Sequence, residues 1–246
     1  MNDIKISAYF ITYNSEKILH HLLRYYSPIC SKITILDNCS IDNTENICKQ
    51  YNVNFVKFDT KNTFNDLANK QLKNMIWQKD IEEFDYVILA DCDEFLYHKD
   101  GLLNFLEKQS KLGYNLFKAT GYHMMGDLDL DLRDDDNIFE KIDKGFRIVS
   151  MDKPILFNCK QLRDIQFSIG CHTCSANNVK TYHNNDFMLL HYKFLGLNYH
   201  LERCRKIKNR MSEFNIEDKV TTYYLEDDAY HTKDYMNFYN NREKII

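Results

Sequence analysis

The stretch "YVILADCDEFLYH", residues 86–98, decides how this chain is read. An apolar run, residues 86–90, leads straight into Asp91, Cys92, Asp93 and Glu94. Three carboxylates within four positions repel one another and are costly to desolvate unless a cation joins them. The stretch therefore reads as a buried strand whose tip holds a positive partner between Asp91 and Asp93. Asp-x-Asp suits a hard divalent cation: oxygen ligands and retained waters fit Mg²⁺ or Mn²⁺, which also take substrate phosphates.

Outward from this tip, the first hundred residues alternate strand and helix. Residues 4–12 ("IKISAYFIT") and 32–37 ("KITILD") read as strands, the second apolar on both faces as a buried parallel strand should be. Between them Ile18, Leu19, Leu22, Leu23 and Tyr26 share one helical face. Asp42, with Glu45 three residues on, predicts a capping box for the next helix. Residues 53–58 form a third strand, and Phe64, Leu67, Ala68, Leu72, Met75 and Ile76 predict the apolar stripe of a long helix. The order βαβαβαβ with short loops implies a parallel sheet with right-handed crossovers. After Asp100 and one more helix, the rhythm shifts to strand-like runs: "YNLFKAT", "FRIVSM", "PILFNC", "IQFSIG" and "FMLLHYK". A long helix over 197–213 and an aromatic, mixed-charge tail follow.

The expected fold is thus α/β, a mostly parallel Rossmann-like sheet flanked by helices with a mixed second half. Its expected division is one domain over 1–246, with a nucleotide-type half over 1–98, a second half over 99–215 and an extension over 216–246. The chain has 246 residues, 44% of them hydrophobic, which is enough for one sizeable core. A net charge of −4 with no basic cluster argues against a nucleic-acid partner. No apolar run approaches the roughly 20 residues that span a bilayer, and the start "MNDIKISAYFITYN" lacks the pattern of a secretory leader. The eight scattered cysteines then read as reduced thiols. The expected location is the cytoplasm, with peripheral association at the inner membrane face compatible with the sequence. Nothing in the sequence speaks to oligomeric state.

Open parallel sheets bind ligands at the carboxyl ends of their strands. Those ends are polar here: Thr12-Tyr13-Asn14, Asp37-Asn38, Asp59-Thr60 and Asp91-Cys92-Asp93. Polar strand ends are common where strands run into loops, but four on one rim, closing on Asp-x-Asp, point to one cleft.

These residues carry a resemblance. "ITYNSEKIL", "ILDNCSIDNT" and "VILADCDEFL", in this order and spacing, resemble family 2 glycosyltransferases with a GT-A fold. "DKPILFN", "GCHT" and "LLHYKFLG" are similar to a bacterial subgroup of that family. The resemblance implies metal-dependent transfer of a sugar, of hexosyl type and with inversion, from a nucleotide sugar to an acceptor hydroxyl, as in polysaccharide or glycan synthesis. It implies that Thr12, Tyr13 and Asn14 line the base pocket and that Asp37 bonds base or ribose. It implies that Asp91 and Asp93 hold Mn²⁺ or Mg²⁺ on the diphosphate of a donor, most commonly a UDP-sugar. Asn65 and Asn69, one turn apart, are placed to reach the donor or to face solvent.

His191 closes the run "FMLL", and its imidazole is a candidate third metal ligand or a core histidine. Lys193 and Arg203 are candidate diphosphate contacts. For the base that takes the acceptor's proton, Asp152 is preferred, with Glu94, Asp127 and His123 as alternatives. Cys171-x-x-Cys174 with His183 falls short of a four-ligand zinc set, so this segment reads as a loop lining the site. The acidic run over 127–136 resembles a calcium loop, but Leu132 and Ile138 replace the glycine and glutamate it needs. Two other functions remain: a haloacid-dehalogenase-like phosphohydrolase, whose Asp-x-Asp normally opens the fold, and a non-catalytic nucleotide- or sugar-binding module.

Overall fold

The computed structural model describes residues 4–246. The first three residues of the start that was read for a leader lie outside it. The first half alternates as expected: β1 Ile6–Thr12, α1 Glu16–Tyr26, β2 Lys32–Asp37, α2 Thr44–Gln50, β3 Asn54–Lys57, α3 Asp66–Met75 and β4 Tyr86–Asp91. β1 pairs in parallel with both β2 and β4, and β2 with β3. The register sets Thr12 against Asp37 and Ile11 against Asp91, so the carboxyl ends share one rim. Ile6, Ala8, Phe10, Ile35, Leu36 and Val87–Ala90 are fully buried. At about 1.5–3 kcal/mol for each large apolar side chain, this layer supplies much of the force that holds the rim in place.

The chain then turns back at once. Cys92 and Asp93 form a tight turn, and β5 Glu94–Tyr97 follows, a strand the sequence pattern did not reveal. After α4 Leu102–Lys111 come β6 Leu116–Met125, α5 Ile138–Lys141, β7 Lys144–Arg147, β8 Lys153–Asn158, β9 Gln166–Phe167, β10 Cys174–Ser175, β11 Thr181–Tyr182 and β12 Met188–Phe194. The chain ends in α6 Leu197–Lys208, α7 Glu213–Glu217, α8 Asp228–Asn240 and β13 Glu243–Lys244. The main sheet runs β13-β7-β6-β8-β4-β1-β2-β3. β8 lies antiparallel between β4 and β6, and β12 bridges β5 and β6. The architecture is α/β, parallel in its first half and mixed in its second. Among the described residues no helix is long and apolar enough to cross a membrane.

Three local expectations need correction. Residues 197–213 are not one helix: α6 stops at Lys208 and α7 begins at Glu213. The cap of α2 is Asn43, not Asp42, and Glu45 pairs with Lys49 and Lys57 instead of reaching back. Asp42 accepts from the Glu16 N–H while Glu16 accepts from the Asn43 N–H, so the first turns of α1 and α2 satisfy each other. In α3 the expected stripe holds only in part: Leu72 and Ile76 pack against the core, but Met75 is 68% exposed, and Lys73 and Asn74 are the buried residues. Asn74 bonds both the N–H and the C=O of Phe167, which locks α3 to β9.

The opposite end of the sheet is closed by a polar knot. Asp80 accepts from Ser7, from Tyr9 and from both contacts of Lys32, and only 4% of it is exposed.

Candidate functional site

A cleft of about 270 Å³ opens at the carboxyl rim. Thr12, Tyr13, Asn14, Asn69, Asp91, Asp93, Glu94 and His191 line it together, as do Gly170 and His172 of the "GCHT" loop. Asp37, Asn65, Asp152 and Lys193 do not line it.

Each position follows from the fold. Asp91 is the last residue of β4. Its Oδ1 accepts from Lys73 Nζ of α3 at 2.7 Å, and the carboxylate remains 41% exposed to the cleft. Burial alone would raise the Asp91 carboxyl, but the charges of Lys73 and Lys153 outweigh it and hold its pKa below the usual range. Asp93 sits in the turn into β5. Its Oδ2 meets His191 Nε2 at 3.1 Å and accepts from Arg203 of α6 at 3.1 Å. Burial again pushes upward, and the charges of His191 and Arg203 outweigh it, so Asp93 titrates far below an ordinary carboxylate. His191 is brought there by β12, whose antiparallel register sets it against Glu94, with Asp93 C=O accepting from Tyr192 N–H at 2.8 Å.

Behind the tip, Glu94 and Lys153 form a buried pair at 2.5 Å. β8 runs antiparallel to β4 with Ile88 against Leu156, and continuing that register brings Lys153 level with Asp91. The second Glu94 oxygen accepts from the Asp91 N–H at 3.1 Å, so this carboxylate fixes the turn. Glu94 is fully buried and offers no free oxygen to a proton transfer. Asp152, the preferred base, is turned elsewhere: it accepts from Gly121 N–H at 2.8 Å and pairs with Arg147 at 2.7 Å. Gly121 is required for that approach, because a Cβ there would stand 2.3 Å from the Met151 carbonyl oxygen.

The other expectations divide similarly. Asp37 is wholly buried and caps its own loop through Ser40 N–H. Asn65 is the N-cap of α3 and accepts from Ala68 N–H, one turn before Asn69 on the cleft wall. Lys193 lies over the Tyr223 ring, 4.8 Å from its centre. Asn14 takes a left-handed backbone, φ 51°, and links two rim loops by accepting from Ile41 N–H and donating its own N–H to Ser40. All eight cysteines are free thiols. Asp127 pairs with Arg242 at the surface. Burial drives the His123 pKa well down beside His191.

Five cations of the cleft lining went unread in the sequence, Lys70, Lys73, Lys153, Lys206 and Arg210. The Arg210 guanidinium stacks on Tyr13 at 3.3 Å from the ring centre and donates to Asn38 Oδ1 at 2.6 Å. Its partner at Asn38 is 172 positions away, so no local pattern announced it.

The donor chemistry suits a hard divalent ion. Among the described residues no side chain bonds Asp91 Oδ2 or Asp93 Oδ1. Two carboxylate oxygens at one turn, completed by water and phosphate, is how Mg²⁺ and Mn²⁺ are ordinarily held. Asp91, Asp93 and His191 do not form a closed three-ligand group. Among the described residues the single such group is His200, Cys204 and His231, outside the cleft.

No family model matches the chain, and no curated protein does. Solved structures do show likeness. Glucosyl-3-phosphoglycerate synthase from Mycobacterium tuberculosis, in complex with Mn²⁺, UDP and glucosyl-3-phosphoglycerate, is 17% identical with a TM-score of 0.32, over 48% of this chain and 44% of that one. A mycobacterial protein is 16% identical with a TM-score of 0.34, over 49% and 42%. The chain thus spans less than half the length of these structures.

Proposed function

We propose that the chain is a glycosyltransferase of GT-A type that moves a hexose from a UDP-sugar to an acceptor hydroxyl with inversion, in glycan or polysaccharide synthesis. The observation that carries this reading is the rim itself. Two carboxylates each keep an oxygen without a side-chain partner among the described residues, beside Lys73 and Arg203, in a cleft reached by the loops after β1 and β2. The motif resemblance adds the reaction class.

Asp93 and the free oxygen of Asp91 would hold Mn²⁺ or Mg²⁺. The ion supplies charge neutralisation for a diphosphate as it leaves. The protein's own groups do the rest. Arg203 and Lys73 place fixed positive charge where the leaving group gains negative charge, without reorganisation at that moment. Lys153 holds Glu94, and Glu94 holds the Asp91 N–H, so the acidic turn stays in register. Arg210 covers one face of Tyr13 and sets that ring as a wall for the nucleobase.

The test is turnover. UDP-glucose with Mn²⁺ should release UDP above background, and Asp93→Ala should cut that rate by about 10²–10³, the usual cost of losing a preorganised charge contact. Hydrolysis of simple phosphate esters without nucleotide dependence would instead establish the phosphohydrolase. Nucleotide binding without turnover of any sugar nucleotide would establish the binding module.

A further inference from the structure

Outside the cleft, α6 and α8 bring three metal-binding side chains together. His200 and Cys204 stand one turn apart on α6, and His231 meets them from α8. One ligand atom of each lies within 4.8 Å of the others. All three residues are buried, 3%, 1% and 3% exposed. His200 Nε2 is 3.6 Å from Cys204 Sγ. With Zn–S near 2.3 Å and Zn–N near 2.0–2.1 Å, tetrahedral zinc sets sulfur and nitrogen about 3.6 Å apart.

A core role for these residues predicts satisfied imidazoles, because buried polar atoms are nearly always bonded. Here His231 keeps a buried ring nitrogen, Nε2, with no partner among the described residues, while His200 turns its Nε2 to Cys204 Sγ.

We propose that His200, Cys204 and His231 bind a zinc-type divalent ion that ties α8 to α6. Two imidazoles and a thiolate are a borderline-soft set, which selects this class over Mg²⁺ or Mn²⁺. The fourth position is left to water. The ion has a structural consequence for the cleft. Arg203, adjacent to Cys204 on α6, holds Asp93 together with His191. Fixing α6 therefore fixes Arg203.

The test uses the full-length chain, stripped with chelator and refilled with Co²⁺. A thiolate-to-cobalt charge-transfer band should develop and saturate at about one ion per chain. It should persist in Asp93→Ala and in a Cys171→Ser/Cys174→Ser double variant, and disappear in Cys204→Ser. Should Cys204→Ser not fold, His231→Gln keeps the thiol and should weaken cobalt binding by at least about tenfold. The proposal is overturned if wild type shows no band, if the band survives Cys204→Ser, if the double variant abolishes it, or if His231→Gln binds cobalt as wild type does.

Discussion

The two ends of the parallel sheet use the same chemistry to different ends. At the amino end, Asp80 meets Lys32 at 2.9 Å together with Ser7 and Tyr9, and it is sealed from solvent. At the carboxyl end, Asp91 meets Lys73 at 2.7 Å, and Asp93 meets Arg203 and His191. Both are carboxylates held ionised by neighbouring cations. They differ in how many lone pairs are used. Protein groups at Asp80 engage both oxygens, whereas Asp91 Oδ2 and Asp93 Oδ1 meet no side chain among the described residues. A carboxylate whose donors are complete is structural, and one left half-satisfied on a cleft wall is built to meet something else.

The largest effect that would sharpen this contrast lies at the closed end. Asp80→Ala strips the acceptor from two buried hydroxyls and should cost about 2–6 kcal/mol, at about 1–3 kcal/mol for each stranded group. Urea denaturation reads that loss, and the nucleotide response of the folded variant should stay as in wild type. A loss below about 1 kcal/mol would break the claim that the amino-end knot is structural.

A smaller, pH-dependent effect is expected at the open end. The folded Asp93 pKa is depressed, so its ionised form stabilises the fold. That contribution is fully present above the unfolded value of about 4 and is lost as pH falls below it toward the folded pKa. Asp93→Asn should therefore be about 1–3 kcal/mol less stable than wild type at neutral pH, the scale of charge-assisted bonds. The gap should shrink as pH is lowered below about 4. A gap independent of pH would mean that Arg203 and His191 do not depend on the Asp93 charge.

How much of this was legible follows from distance along the chain. β2 was readable residue for residue, because apolarity on both faces is local. The face of α1 was equally plain, and all five stripe residues are buried. The acidic tip stood out because its charges are neighbours in sequence. Its counter-charges did not: Lys153 lies 59 positions from Glu94, and Arg203 lies 110 from Asp93. They arrive through sheet register and helix packing, which periodicity does not encode. α3 misled in part for the same reason: Lys73 and Asn74 are buried by their contacts with Asp91 and β9 while Met75 is exposed, an override of amphipathic pattern by tertiary contact. Asp152 looked like a base because its place before Lys153-Pro154 suggested the rim, whereas β7 supplies Arg147 and β6 supplies Gly121 N–H to hold it elsewhere.

The central claim is that the open carboxylates at Asp91 and Asp93 meet a divalent ion and a nucleoside diphosphate together. Thermal unfolding with UDP, with and without Mn²⁺, tests it most directly. At about 100-fold saturation the pair should stabilise wild type by roughly 2.7 kcal/mol, and the metal-dependent part should vanish in Asp93→Ala. Equal responses in wild type and variant, or no metal-dependent response to UDP at all, would contradict the account.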